Sequence, residues 1–373
     1  MSGLVVIGCG YVADLYMRSV AVMPGLVVAG AYDRDPTRLA AFCAYWNVPA
    51  LPDMAAAIAA AKGGVALNLT NPSSHVAVSE ELLRAGVHVF CEKPMTLALS
   101  EAQRLQALAR ENGVYLASAP SSVLGEAAQM FARAVRDEVA GTPRLVYAEL
   151  DDGFISQAPL ETWVSASGAP WPYVDEFRTG ATLEHAGYWL AWLIAAFGPV
   201  RTVVAASAEL VPGKRGVADG APDFSVATLF FHSGLVARLT CSIAAPHDHR
   251  LRLIGDRGVV EVGKVWDNRA KVLFRRRLVL RRRLLESPIA RRLKPRGATH
   301  PHVTRQGAAA MNFALGPAEM LEAIANGRTP RLAGDYAVHL TEVTLAIQAA
   351  GEDTGAQRMT TTCTPMEPMP WAG

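Results

Sequence analysis

Two short segments of this chain carry side chains whose types and spacing suit proton and charge transfer. The first is Cys91-Glu92-Lys93-Pro94, which follows the apolar run Val87–Cys91, with Thr70-Asn71-Pro72 and His75 a short way upstream. A lysine at such a turn polarises a carbonyl, or sheds its proton when desolvated beside a cationic or polar neighbour. Pro94 restricts the backbone at that turn. Standing alone, Glu92 and Lys93 would as readily form a surface ion pair. Lysine is an uncommon choice here, because 30 of the 36 basic residues are Arg and only six are Lys. The second segment is Gly180-Ala-Thr-Leu-Glu184-His185-Ala-Gly187-Tyr188-Trp189. On an α-helix, Glu184 and Tyr188 share a face, while position 185 points about 100° away. His185 has the better intrinsic pKa for proton transfer near neutrality. Tyr188 can serve if a nearby ammonium favours its phenolate. Both are also ordinary packing residues on an apolar, Trp-rich helix.

A third motif, Gly8-Cys9-Gly10-Tyr11-Val12-Ala13, follows the apolar run Leu4–Ile7 and opens a helical pattern. Gly8 permits a tight turn, Gly10 lets backbone approach a pyrophosphate, and Ala13 is small enough for helix–strand packing. The N–H groups of Tyr11 and Val12 then face the anion at the helix N-terminus. Asp33 lies twenty residues beyond Ala13, closing the second apolar run, where a ribose-binding carboxylate belongs. Its charge disfavours a 2′-phosphate and points to NAD. Arg34 beside it would pair with that phosphate, which leaves NADP open.

These motifs need elements to hold them. Apolar runs at 4–8, 26–32, 65–69, 87–91 and 114–118 alternate with helical patterns at 11–22, 36–46, 53–61, 75–85 and 100–112. That alternation predicts an α/β half with a doubly wound parallel sheet covered on both faces. Past Pro120 the rhythm changes to a helix near 125–139, a strand at 144–150 and an irregular stretch over 153–180. A helix over about 182–197 follows, then successive strands at 200–210, 224–231, 235–243, 250–254 and 259–262, and helices at 317–326 and 335–350. Strands without intervening helices imply a largely antiparallel sheet. The predicted domains are 1–120, 121–355 with a basic insertion at 275–296, and a loose tail at 356–373.

Taken together, the GxGxxA turn, the acidic close of the second strand, Asn71-Pro72 with His75, and Ala85-Gly86-Val87-His88-Val89-Phe90-Cys91-Glu92-Lys93-Pro94 resemble the Gfo/Idh/MocA family of oxidoreductases. The resemblance covers nearly the whole chain, down to the His339-Leu-Thr-Glu342 helix pattern. It implies an N-terminal Rossmann domain that binds NAD(P), and a C-terminal α+β domain built on an open, largely antiparallel sheet. It also implies oxidation or reduction of a carbinol or carbonyl on sugars, cyclitols and related small molecules, and assembly as a homo-oligomer, dimer or tetramer. Gly8, Gly10, Tyr11, Val12, Ala13, Asp33 and Arg34 are then the expected dinucleotide contacts, with Thr70, Asn71, Pro72, His75, Glu92, Lys93 and Pro94 on the nicotinamide side. Lys93 matches the family's lysine that touches both cofactor and substrate oxygen. Members carry D-x-G-x-H or D-x-G-x-Y on the helix that opens the second domain. Counted back from Gly198, Glu184 takes the Asp position and Tyr188 the His/Tyr position, but the glycine is displaced to 187 and His185 intervenes. Tyr188 is therefore the expected proton relay, with His185 the alternative and Glu184 in the substrate pocket.

Other classes remain on this reading: a non-redox enzyme using tightly bound NAD for elimination or glycoside cleavage, and a nucleotide-binding sensor or scaffold without turnover. Trp163 and Trp171, in a loop mixing aromatic and polar residues, suit stacking on a sugar ring, or equally a stiff packed loop. Asp151-Asp152 has metal-like composition, but no third convergent ligand is evident, and no metal is expected. Residues 275–296 hold ten basic residues against Glu286, within a chain of net charge +2. Such an island reads first as a solvated insertion, next as a site for an anionic partner, and last as peripheral membrane contact through its interleaved leucines. No nucleic-acid motif accompanies it. Five scattered cysteines, without a CxxC pair, fit a reducing cytoplasm. No apolar run has the length of a membrane span, and the start lacks the pattern of a secretory signal. A soluble cytoplasmic protein is expected.

Overall fold

A computed structural model describes residues 3–373, which divide into two compact units. Each is built from separated stretches of chain. The first takes the described residues up to Ser121, Gln157–Thr179 and Asn312–Leu345, and the second takes Ser122–Ser156, Gly180–Met311 and Ala346–Gly373. A single break near residue 120, as the change of rhythm suggested, therefore becomes an interleaved division.

In the first unit, β1 (Leu4–Ile7), β2 (Val28–Tyr32), β3 (Val65–Asn68), β4 (His88–Cys91) and β5 (Leu116–Ser118) form a parallel sheet in the order β2-β1-β3-β4-β5. Helices α1 (Tyr11–Val20), α2 (Pro36–Trp46), α3 (Met54–Ala61), α4 (His75–Arg84) and α5 (Leu99–Glu111) connect them. Strands β1 and β3 are buried at every position, as continuous apolar runs between two helical layers must be. Outside β2, Ala31 pairs in parallel with Ala50, and Leu51 N–H donates to Ala31 O at 2.8 Å. This bridge is a vestigial edge strand, and it restores the doubly wound order in which the chain reverses direction at β1. On the opposite edge, Ser118 N–H donates to Leu332 O at 3.1 Å. Helix α9 (Leu315–Ala325) packs so closely that a Cβ on Gly316 would lie 2.5 Å from the Phe90 ring.

Segment 157–179, with helix α7 (Tyr173–Thr179), belongs to this unit through one buried carboxylate. Asp14 of α1 accepts from Trp46 Nε1 (2.9 Å), Ser167 N (3.0 Å), Ser165 Oγ (2.7 Å) and Ser167 Oγ (2.7 Å). Four donors compensate the desolvation of a charge that is only 1% exposed.

The second unit holds a ten-stranded mixed sheet. Its strands are β6 (Pro143–Phe154), β7 (Val200–Ala208), β8 (Phe224–Phe231), β9 (Val236–Ser242), β10 (Ala244–Asp248), β11 (Leu251–Gly255), β12 (Gly258–Val262), β13 (Val272–Leu280), β14 (Arg283–Leu293) and β15 (Gln357–Arg358). The order is β14-β13-β12-β11-β6-β9-β8-β7-β15, with β10 on β6, and only β6–β9 is a parallel pair. Alternating burial along β8 and β11 shows one face covered and one open. Helices α6 (Glu126–Arg136) and α8 (Gly187–Phe197) belong to this unit, with Phe131 meeting Trp192 and Phe197. Trp189, fully buried on α8, donates its indole N–H to Glu149 O at 2.8 Å.

Three local features differ from the sequence expectation. The basic island is not an irregular insertion but most of the edge hairpin β13–β14, whose ladder pairs Leu278 with Leu285 and Arg277 with Glu286. The tail contributes β15 to the opposite edge, where Gln357 pairs with Val203. The turn before α8, Thr182–Ala186, is a π-helix, so the count that set position 185 about 100° from 184 does not hold there.

Gly125 precedes α6 without a side-chain cap, and His300 supplies one from afar. Its Nε2 accepts the Glu126 N–H at 2.9 Å and its Nδ1 donates to Pro301 O at 2.8 Å, an arrangement that requires the neutral ring. Burial pushes its pKa down to about 4. The unfolded chain therefore takes up the proton first as pH falls. The contribution is complete above about pH 6.5 and is lost progressively toward pH 4, on the order of 3 kcal/mol in all. Thermal unfolding across that window should show a steeper acid limb for the native chain than for His300→Leu. Asp14→Ala should leave four partly buried donors without their acceptor and destabilise by about 2 kcal/mol. Hydrogen exchange over residues 163–169 should rise with it.

Candidate active site

Within the first unit, chemistry-bearing residues gather at the carboxyl ends of β1 to β4. Gly8 has φ +94°, and a Cβ there would stand 2.7 Å from Leu69 O, so only glycine fits. Gly10 is a different case. Its φ is −78° and a Cβ would meet nothing within 4 Å, so the chain itself does not demand glycine there. The N-terminus of α1 beyond it has no side-chain cap. Open space over an uncapped helix N-terminus is what a pyrophosphate needs, so these residues fit the dinucleotide. Asp33 braces the turn, accepting Cys9 N–H on Oδ2 (2.7 Å) and Asp35 N–H on Oδ1 (2.9 Å). Each of its oxygens keeps a lone pair for a ribose hydroxyl. Burial and then the Asp33 carboxylate push the Cys9 thiol up, and burial likewise raises the Tyr11 hydroxyl. Ala13 is buried, while Arg34 is exposed.

The Lys93 turn is held from behind. Tyr16 Oη donates to Glu92 Oε1 at 2.6 Å, and the Lys93 N–H donates to Glu92 Oε2 at 2.9 Å. Fully buried His75 sets its Nδ1 2.7 Å from Pro94 O and its Nε2 2.9 Å from Thr70 O, tying the end of β3 to this turn. Asn68 adds bonds from Nδ2 to His75 O and Ser79 Oγ, and its Oδ1 accepts from Thr70 Oγ1. This corrects two assignments. His75 is fully buried and Glu92 is 5% exposed, so these residues act by holding the turns that carry Lys93 and Thr70. Asn71 donates to Asp175 Oδ2 at 2.5 Å, and Pro72 opens the short turn Pro72–Ser74. Trp163 and Trp171 pack edge to face, ring centroids 5.0 Å apart, on the strap that Asp14 anchors.

Within the second unit, a separate cluster forms around Asp152. His249 Nε2 lies 2.5 Å from Asp152 Oδ1, and His185 Nδ1 pairs with Asp152 Oδ2. His247 stacks on His249 with ring centroids 4.0 Å apart. Trp266 walls the group, 4.6 Å from His249, 6.5 Å from His185 and 6.2 Å from Tyr188. His185 and Tyr188, three residues apart, therefore share one aromatic neighbour. Glu184 is buried within the π-helix, its N–H bonded to Gly180 O. Burial opposes ionisation of Asp152, but His185 and His249 outweigh it and hold the carboxyl well below the usual range. Neighbouring Asp151 is pushed up to about 6 by burial and by Glu149, Asp248 and Asp152. Burial, then His249, lowers His247. The sequence reading found no third ligand beside Asp151-Asp152, and the fold supplies His247 and His249. The missed signal was His247-Asp248-His249, two histidines two residues apart whose rings come together at the end of β10.

Residues 3–119 match the family model described as "Oxidoreductase family, NAD-binding Rossmann fold", and residues 128–261 match the "GFO/IDH/MocA C-terminal domain". The UDP-N-acetylglucosamine 3-dehydrogenase of Acidithiobacillus ferrooxidans is 28% identical over 223 residues, 56% of this chain and 68% of the relative. Two solved structures share the fold. The WlbA dehydrogenase of Bordetella pertussis, in complex with NADH and UDP-GlcNAcA, gives a TM-score of 0.70 at 18% identity over 95% of this chain and 97% of that one. KijD10, a 3-ketoreductase of Actinomadura kijaniata in complex with TDP-benzene and NADP, gives 0.71 at 18% identity over 93% and 97%. Among the described residues no helix is long and apolar enough to cross a membrane. With both of its halves matched by models of one family, the chain belongs to the Gfo/Idh/MocA family of oxidoreductases.

Proposed function

We propose that this oxidoreductase transfers a hydride between a nicotinamide cofactor and a secondary alcohol or ketone of a sugar, with nucleotide-linked sugars as the first substrate class. The relatives support the class: one is named for a UDP-sugar, and two similar folds are in complex with UDP- or TDP-linked ligands. The bound nicotinamide supplies the two-electron chemistry. Asp33 favours NAD, with exposed Arg34 leaving room for NADP.

The residue roles follow from how each side chain is held. Lys93, on a turn fixed by Glu92, Tyr16 and His75, donates to the substrate oxygen and stabilises developing alkoxide charge. The observation that carries the proton-relay assignment is the pairing of His185 with the buried Asp152 carboxylate. A carboxylate paired with the imidazole biases its tautomer and orientation, as a histidine that relays a hydroxyl proton requires. Tyr188 is 9% exposed and edge-on to Trp266, a packed position, so the relay moves from Tyr188 to His185.

Nicotinamide absorbance followed with sugars, sugar phosphates, nucleotide sugars and cyclitols tests the reading. Lys93→Ala and His185→Ala should each lower kcat/KM by roughly 10²–10⁴-fold, while Tyr188→Phe stays within about tenfold. The reverse ranking of His185 and Tyr188 would return the relay to the tyrosine. Gly10→Val should keep the native melting temperature, because its side chain enters open space, yet weaken NADH binding measured by fluorescence. A variant that binds NADH normally would refute the pyrophosphate assignment.

A further inference from the structure

We propose that Asp152, His247 and His249 form a binding site for a divalent first-row transition metal. The inference stands on this cluster alone and does not depend on the hydride-transfer reading.

The strand geometry carries it. His247 lies in β10 and His249 follows one residue beyond its end, and their imidazole rings stand 4.0 Å apart, centroid to centroid. Asp248 pairs with Asp151 across the β10–β6 ladder, which sets Asp152 beside His247. One ligand atom from each of Asp152, His247 and His249 falls within 4.8 Å of the others. Bonds of about 2.0–2.1 Å in a tetrahedral site place ligand atoms about 3.3 Å apart. Binding thus needs the Asp152–His249 contact to open by somewhat under an ångström, with His247 swinging inward. His247 is exposed, whereas Asp152 and His249 are held at 1% side-chain exposure.

Two further features fit a cation. The free Asp152 oxygen is oriented by His185, and Trp266 forms an apolar wall, together an outer shell of the kind that fixes metal ligands. The surroundings also hold unbalanced negative charge. Arg238 pairs with Glu149 and Arg250 with Asp248, but Asp151 Oδ1 is buried without a hydrogen-bond partner. Two nitrogens and a carboxylate oxygen select zinc-class ions over calcium or magnesium. With three protein ligands, a fourth position remains for water or an oxygen of a bound molecule.

The test uses the full chain, stripped with chelator, dialysed and titrated with ZnCl₂ by calorimetry, with CoCl₂ as a spectroscopic probe. The expected result is one Zn²⁺ per chain and intense visible Co²⁺ bands. His247→Ala, at an exposed position, should keep the native circular dichroism and weaken Zn²⁺ at least tenfold. His249→Gln should do the same or more, and His232→Ala, an exposed histidine elsewhere in the unit, should change nothing. No Zn²⁺ uptake by the native chain, or uptake unchanged in His247→Ala, would overturn the site. If His249→Gln does not fold, His247→Ala decides.

Discussion

A parallel sheet ends abruptly at its carboxyl edge, and the backbone groups of the turns beyond it have no ladder to join. In this chain they are satisfied by a few buried polar side chains, and the first unit depends on that arrangement. Asp33 accepts the Cys9 N–H, Asn68 ties Thr70 to α4, His75 spans the carbonyls of Thr70 and Pro94, and Glu92 takes Tyr16 Oη and the Lys93 N–H. Three of these links, Cys9 to Asp33, Tyr16 to Glu92 and His75 to Pro94, join residues 24, 76 and 19 positions apart, and the others tighten the turns locally. Lys93 and the glycine turn are consequently held on rigid backbone, with much of the polar work of holding them done by buried side chains. Such preorganisation lets a donor act without reorganising during the reaction.

The second unit meets a related constraint differently. The Asp152 side chain is 1% exposed, where an unpaired carboxylate is costly. Two imidazoles flank it, and a tryptophan closes the group. That arrangement orients His185, and it also leaves His247 and His249 together beside a carboxylate. One solution to a desolvation problem thus provides both an oriented base and a set of metal donors.

Charge is used sparingly elsewhere. Lysine is rare in this chain, but rarity alone does not mark a lysine as catalytic: Lys214 is 2% exposed and is consumed by Glu209, Val211 O and Ala221 O. Arginine is instead concentrated on the β13–β14 hairpin. There, like charges along an exposed edge discourage strand-to-strand association, although Val279 and Ile289 are also exposed.

The local rules were enough for much of this. Continuous apolar runs alternating with helical periodicity specified the doubly wound half, because a strand buried on both faces must be mostly apolar, with any polar side chain such as Asn68 hydrogen-bonded inside. The spacing of Gly8, Gly10, Ala13 and Asp33 marked the turn between β1 and α1, where Gly8 meets a steric requirement of the fold itself. What the chain could not disclose locally were relations between distant residues. Asp14 recruiting a strap 150 residues away, His75 and Glu92 turning inward, and Asp152 meeting His247 and His249 all depend on strand register and burial. The π-helix at Thr182–Ala186 belongs to the same class, because one widened turn changes every angle counted from an ideal helix. Side-chain type and spacing determine which chemistry is possible; only tertiary packing decides which of those groups is desolvated, paired and aimed.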